Sequence, residues 1–182
     1  MSNKKHKQVA ETYITISELM LPSHANFSGK IHGGYILSLL DQIAFACASK
    51  HSGEYCVTAS VDTVDFLNPI EVGELVTMKA SVNYTGRTSM VVGVRVDAEN
   101  IRTGEKKHCN SSYFTMVAKD DQGKSIEVPG LIVKNDIEVS RFLKAIKRIE
   151  MKNKRQDEFD GDKFTPHDYV KELENYNVKV QL

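Results

Sequence analysis

The chain has no surplus of charge: Lys and Arg number 24, Asp and Glu also 24, and the isoelectric point lies near 7.0. That removes the electrostatic footprint of a general nucleic-acid binder and leaves only a local basic patch open. Long apolar runs are also missing. None approaches the roughly 18 residues that a membrane span needs. The basic Lys4, Lys5 and Lys7 lead into Gln8, Val9, Ala10 and Glu11 rather than into a signal-peptide apolar stretch. A soluble cytoplasmic protein is expected, with neither nucleic acid nor membrane as partner. Cysteine is scarce. Cys47, Cys56 and Cys109 are odd in number, widely spaced and without the C-x2-C pairing of a zinc or redox site, so reduced, packed thiols and no metal are expected. Folding does not need them: a chain of about 150 residues buries roughly 68 to 70% of its unfolded surface without staples.

The 182 residues suffice for one domain with an appendage, and charge density marks the division. Residues 1–120 carry 24 charged side chains and residues 121–182 carry another 24, so the core belongs upstream. Residues 1–11 are read as a flexible terminus, 12–120 as the folded domain and 121–182 as a charged, mainly helical extension. The run Thr12 to Met20 reads as a strand. Tyr35 to Lys50 has no Pro or interior Gly and is too long for an average strand, so a helix of about 24 Å is expected. Ser38, Asp41, Gln42 and Ser49 share one narrow stripe of it, and the rest is apolar nearly all round, as in an enclosed helix. Four strand-like runs follow: Tyr55 to Phe66, Leu75 to Tyr84, Ser89 to Ala98 and Lys107 to Lys119. Breakers separate them, and Val92, Val94 and Val96 alternate with Gly93, Arg95 and Asp97 as on a half-buried face. The fold class is therefore α+β, an antiparallel sheet wrapped around one long helix. In the extension, Val139, Phe142, Leu143, Ile146 and Ile149 predict an amphipathic helix over 136–154 capped by Asp136. A linker is read over 156–163, and a short second helix over 166–176.

Asp41 stands out chemically. A carboxylate halfway along an apolar helix costs stability unless it is paired or wetted. It can be a general base or nucleophile, or it can mark where the helix meets water or a partner subunit. Asn26, in the polar segment before the helix, can align a water or polarise a carbonyl, or simply satisfy its own loop. His32 is a candidate for proton transfer or a structural residue at the helix start. Gly33 and Gly34 can present backbone N–H groups and the helix dipole to a developing oxyanion, or serve a tight turn.

Together, Asn26, Gly29, Ile31, His32, Gly33, Gly34, Leu37, Leu40 and Asp41 form the string N-x-x-G-x-I-H-G-G-x-x-L-x-x-L-D. It resembles the hotdog-fold acyl-CoA thioesterases of the bacterial and brain cytosolic acyl-CoA hydrolase type. Val57-Thr58, Val61-Asp62, Asp65-Phe66, Pro69-Ile70, Val72-Gly73-Glu74 and the turn Thr85-Gly86-Arg87-Thr88-Ser89 extend the similarity over about residues 12–120. The chain departs from that pattern with His24-Ala25 before the Asn and with Asp65 before Phe66.

The resemblance implies an acyl-CoA thioester hydrolase in which protomers pair side by side, with Asn26 of one chain facing Asp41 of the other, and in which dimers assemble into a hexamer. It implies Asn26, Asp41, Gly33 and Gly34 as catalytic residues, and His32, Arg87, Thr88 and Ser89 as substrate-binding. Asp41 would activate a water or attack directly to form an anhydride. No cofactor is implied, since CoA belongs to the substrate. Two alternatives keep the fold: an enoyl-thioester hydratase or dehydratase using His32 and Asp41, and a non-catalytic acyl-CoA binding or sensing module.

Overall fold

A computed structural model of the chain describes residues 5–161 and 171–181. It divides into two compact units, residues 1–145 and 146–182. Among the described residues seven strands and two α-helices are formed: β1 (Lys7–Gln8), β2 (Ile14–Leu19), α1 (Gly33–Ser52), β3 (Tyr55–Val61), β4 (Glu74–Thr85), β5 (Ser89–Asn100), β6 (Lys106–Lys119), β7 (Leu131–Ile132) and α2 (Asp136–Gly161). Five of the strands make one antiparallel sheet in the order β2-β4-β5-β6-β3, and β1 pairs in parallel with β7.

Period-two alternation sends Val76, Met78, Ala80 and Val82 of β4 to the same side as Val92, Val94 and Val96 of β5 and Phe114 and Met116 of β6. Against them α1 sets Ile36, Leu40, Ile43, Ala44 and Cys47, all buried in one cluster. Each fully buried large aliphatic contributes about 1.5 to 3 kcal/mol, so this helix–sheet contact dominates the stability of the unit. The helix begins at His32, whose Nδ1 accepts the Gly34 N–H (3.3 Å), and ends at Gly53. With φ of 80°, Gly53 adopts the left-handed conformation that turns the chain into β3, and its N–H closes on the Ser49 carbonyl (2.8 Å). The curled sheet around one long helix is the arrangement that the resemblance implies.

Some boundaries differ from the sequence reading. Residues 7–12 are packed rather than flexible: Lys7 Nζ donates to the His51 carbonyl (2.6 Å), and the buried Thr12 hydroxyl accepts the Val82 N–H (3.0 Å). The cap of α2 is Asn135, which accepts the Glu138 N–H (3.0 Å), not Asp136. The linker expected from residue 156 is helical through Gly161, because Gln, Asp and Glu tolerate an exposed helix. Residues 166–170 of the helix expected over 166–176 lie outside the described residues, and Glu172–Asn175 forms a single 3-10 turn.

Candidate active site

Asp41 occupies the exposed face of α1, beside β3 at the edge of the sheet. Its partner is Thr58, whose hydroxyl donates to Asp41 Oδ1 at 2.6 Å. Local geometry explains the meeting. Cys56 and Thr58 share one face of β3, and Cys56 is buried toward the core, so Thr58 is turned to the helix side. The pair lines a cleft of about 590 Å³ together with Ile16, Gln42, Phe45 and Tyr55. Phe45 and Tyr55 meet edge to face, with ring centroids 5.7 Å apart, and give the cleft an aromatic wall. Just past Thr58 the β3–β6 register shifts at Ala59, so the strand bends there. The other edge of β3 has no strand partner among the described residues.

Asn26 lies in the loop before α1 and does not line this cleft. Its Oδ1 accepts three hydrogen bonds, from the Ser28 N–H (3.0 Å), the Ser28 hydroxyl (2.7 Å) and the Lys30 N–H (3.2 Å). A tight loop results, closed by Gly29 at φ 79°. The Asn26 Nδ2 group makes no hydrogen bond among the described residues, so the loop holds the carboxamide by its oxygen and leaves its donors available. Next to it Phe27 is fully exposed.

At the start of α1 the two glycines are not equivalent. The Gly34 N–H is taken by His32, which makes His32 a helix cap, whereas the Gly33 N–H has no acceptor among the described residues. The Phe66 ring lies over Gly33, where a Cβ would stand 3.4 Å from Phe66 Cζ. The loop is steadied from behind: the His24 ring stacks on Tyr35 (4.0 Å), and the Tyr35 hydroxyl donates to Glu18.

Arg87 and Thr88 lie in the turn between β4 and β5, and Ser89 opens β5. Their backbone is clamped: the Arg87 carbonyl accepts the Val128 N–H (3.0 Å), and the Thr88 carbonyl accepts the Ala118 N–H (3.1 Å). The Arg87 side chain is exposed and makes no ion pair among the described residues. In register, Thr58, Met116 and Met90 form one cross-strand row, so this turn stands just beyond the Thr58 end of the sheet. Of the cysteines, Cys56 lines the cleft and Cys47 and Cys109 do not. All three are free and buried, and burial pushes the Cys47 thiol up to about 12 and raises that of Cys109. Among the described residues no cluster could hold a metal ion, and no helix is long and apolar enough to cross a membrane.

Thr58 is the site residue that sequence reasoning missed. The signal was present in the alternation of β3, where Thr58 stands two residues from the core-facing Cys56.

Residues 28–105 match the Thioesterase superfamily. The protein VdlD of Helicobacter pylori is 44% identical over 143 residues, 79% of this chain and 82% of its own length. The uncharacterized acyl-CoA thioester hydrolase YkhA of Bacillus subtilis is 33% identical, covering 80% and 86%. Among solved structures, a hexameric acyl-CoA thioesterase superposes with a TM-score of 0.81 at 38% identity, covering 84% of this chain and 97% of that one. An acyl-CoA hydrolase of Staphylococcus aureus does so with 0.79 at 34% identity, covering 85% and 94%. That hydrolase was also solved with alanine in place of an asparagine, an aspartate and a threonine, whose spacings equal those from 26 to 41 and from 41 to 58 here. With its curled sheet, central helix and these relatives, the chain belongs to the Thioesterase superfamily, among the hotdog-fold acyl-CoA thioester hydrolases.

Proposed function

We propose that the chain hydrolyses acyl-CoA thioesters to a free acid and CoA, with Asp41 as general base, in a homodimer whose two copies complete each other's sites. The observation that carries this is the Thr58–Asp41 hydrogen bond at the mouth of a cleft beside an unpaired edge strand. A thioester carbonyl is weakly resonance-stabilised and its thiolate leaves readily, so a positioned water is a sufficient nucleophile. Its oxygen bonds to the carbonyl carbon as its proton passes to Asp41, and the carbon–sulfur bond then breaks, the proton ending on the CoA sulfur. A positioned base supplies about 10²- to 10⁴-fold. The Gly33 N–H, free at the positive end of α1, meets the developing oxyanion, and such a donor is worth about 10²- to 10³-fold. The Gly34 N–H contributes less, since His32 already accepts it.

Pairing of β3 with its copy across a twofold would extend the sheet and cover Tyr55 and Val61, both exposed in the single chain. The Asn26 carboxamide, with Phe27 as its apolar anchor, then reaches the partner's cleft and orients the water or thioester. Further assembly into a hexamer follows the relative of that description. Arg87, unpaired and exposed, takes the CoA phosphates with help from Thr88 and Ser89. His32 shapes the substrate's approach to the helix start. The scheme needs no cofactor, and three buried reduced thiols suit the cytoplasm.

The test is release of free thiol from short, medium and long acyl-CoAs by the purified protein and by Asp41→Asn. Turnover that falls at least about 10²-fold in the variant supports the scheme. Turnover unchanged in the variant removes Asp41 from it, and silence on every chain length removes the hydrolase reading.

A further inference from the structure

The outer face of the sheet, turned away from α1, holds a cavity of about 400 Å³ that the hydrolase scheme does not use. Two cross-strand rows build its floor. Thr15, Lys79, Arg95 and Ser111 stand in register as one row, and Ser81, Gly93 and Tyr113 as the next. Gly93 is the hollow. A Cβ there would collide with Asn83 Nδ2 and stand 3.4 Å from Tyr113 Cε1, so the missing side chain makes room for the Asn83 carboxamide.

Asn83 is only 6% exposed, and it is the extra residue of a β-bulge between Val82 and Tyr84. Its Oδ1 accepts the Ser81 hydroxyl (3.0 Å), while its Nδ2 has no hydrogen-bond partner among the described residues. Asn83 lines the cavity, so an arriving acceptor can take that donor. The charges around it are one-sided. Lys79, Arg95 and Arg141 line the cavity and no carboxylate does. Arg95 is neutralised by Asp97, gripping it through Nε (3.0 Å to each oxygen) and Nη2 (2.8 Å). Lys79 and Arg141 make no ion pair among the described residues, so about two positive charges face the space. Tyr13 and Tyr113 add flat walls with hydroxyls, and the volume falls within the range of small-molecule sites.

We propose that this cavity binds a small phosphorylated molecule: a dianionic phosphate held between Lys79, Arg141 and the Asn83 amide, with a hydroxyl-bearing body against the tyrosines. A phosphate monoester matches the two unpaired cations in charge and offers the acceptors that Asn83 and the cations lack. The source of the phosphate is either a free sugar phosphate or the 3′-phosphate end of CoA.

The test is calorimetric titration of the assembled Asp41→Asn protein, in which turnover plays no part, so the outcome is separate from that of the hydrolase reading. Ribose 5-phosphate is the first probe and ribose its control; CoA and 3′-dephospho-CoA form the second pair. The expected result is that a phosphorylated member binds and its control does not. Lys79→Gln and Arg141→Gln should each weaken binding by about 10- to 100-fold, and Gly93→Ala should abolish it by forcing the amide into the cavity. Response to ribose 5-phosphate names a free sugar phosphate; response only to CoA, lost in Arg141→Gln but kept in Arg87→Gln, names the CoA terminus. Binding by no probe, or binding indifferent to both cation variants, overturns the proposal. So does a change of oligomeric mass in Gly93→Ala with no phosphate ester bound, which would make this face a contact between copies.

Discussion

Replacing Thr58 by valine keeps the shape of β3 and deletes one atom's chemistry, the hydroxyl 2.6 Å from Asp41. The hydroxyl holds the carboxylate in one orientation at the cleft, and its loss lets Asp41 rotate freely on an exposed helix face. A hydrogen bond to a charged group is worth about 1.5 to 3 kcal/mol, and the exposure of both residues favours the lower half of that range. With that orientation lost, kcat falls by about 10- to 50-fold. Thr58→Ser restores the donor and should recover most of the rate. The assay is thiol release under saturating acyl-CoA, with thermal unfolding to confirm that valine leaves the fold intact. A Thr58→Val protein as fast as wild type, or faster, would show that the hydroxyl does not position the base.

The remaining expectations address the loop, the core and the thiols. Asn26→Ala removes the acceptor of three loop hydrogen bonds and should cost about 1 to 2 kcal/mol, or about 2 to 8 °C in Tm, together with activity. Asn26→Asp keeps the acceptor and loses only the amide donor, so it should keep Tm and still lose turnover; equal Tm losses in both would make the residue purely structural. His51 is buried, donates through Nε2 to the Pro129 carbonyl (2.9 Å) and has no partner for Nδ1 among the described residues, and burial lowers its pKa below 6.5. The unfolded chain therefore binds a proton below about pH 6.5 that the folded chain refuses, so this contribution is complete above that pH and is lost as pH falls toward the depressed folded value. The urea midpoint should drop between pH 7.5 and 5.5, and His51→Gln should flatten the drop; equal slopes in the two proteins would contradict the assignment. An aromatic disulfide reagent should modify Cys47, Cys56 and Cys109 only on unfolding, because all three are buried and the Cys47 thiol is held near 12. Labelling of Cys47 in the native protein would oppose this.

What the chain announces in advance is the part set by local pattern. Period-two valines in β5 and the unbroken apolar run of α1 dictate a half-buried sheet against a helix, and both form within a few residues of the expected limits. What it conceals is set by contacts distant in sequence. β1 is a two-residue strand that exists only because β7, over a hundred residues away, lies beside it. Thr58 reads locally as ordinary β-branched strand filling, and its role emerges only when α1 brings Asp41 to it from seventeen residues upstream. The motif around Asn26 is legible, yet which of Gly33 and Gly34 keeps a free N–H depends on the rotamer of His32. α2 runs beyond its expected end because its acidic stretch looks like a linker, although an exposed helix carries such residues at little cost.

The central claim is that Asn26 and Asp41 act across a twofold, and subunit exchange tests it. Asn26→Asp and Asp41→Asn proteins, each inactive alone, are mixed in equal amounts, dissociated and reassembled. Half of the random dimers then contain one of each, and each such dimer has one intact site of two. The account predicts recovery of about a quarter of wild-type turnover. Recovery of none, with mixed dimers demonstrated by mass, would place both residues in a single chain's site and contradict it.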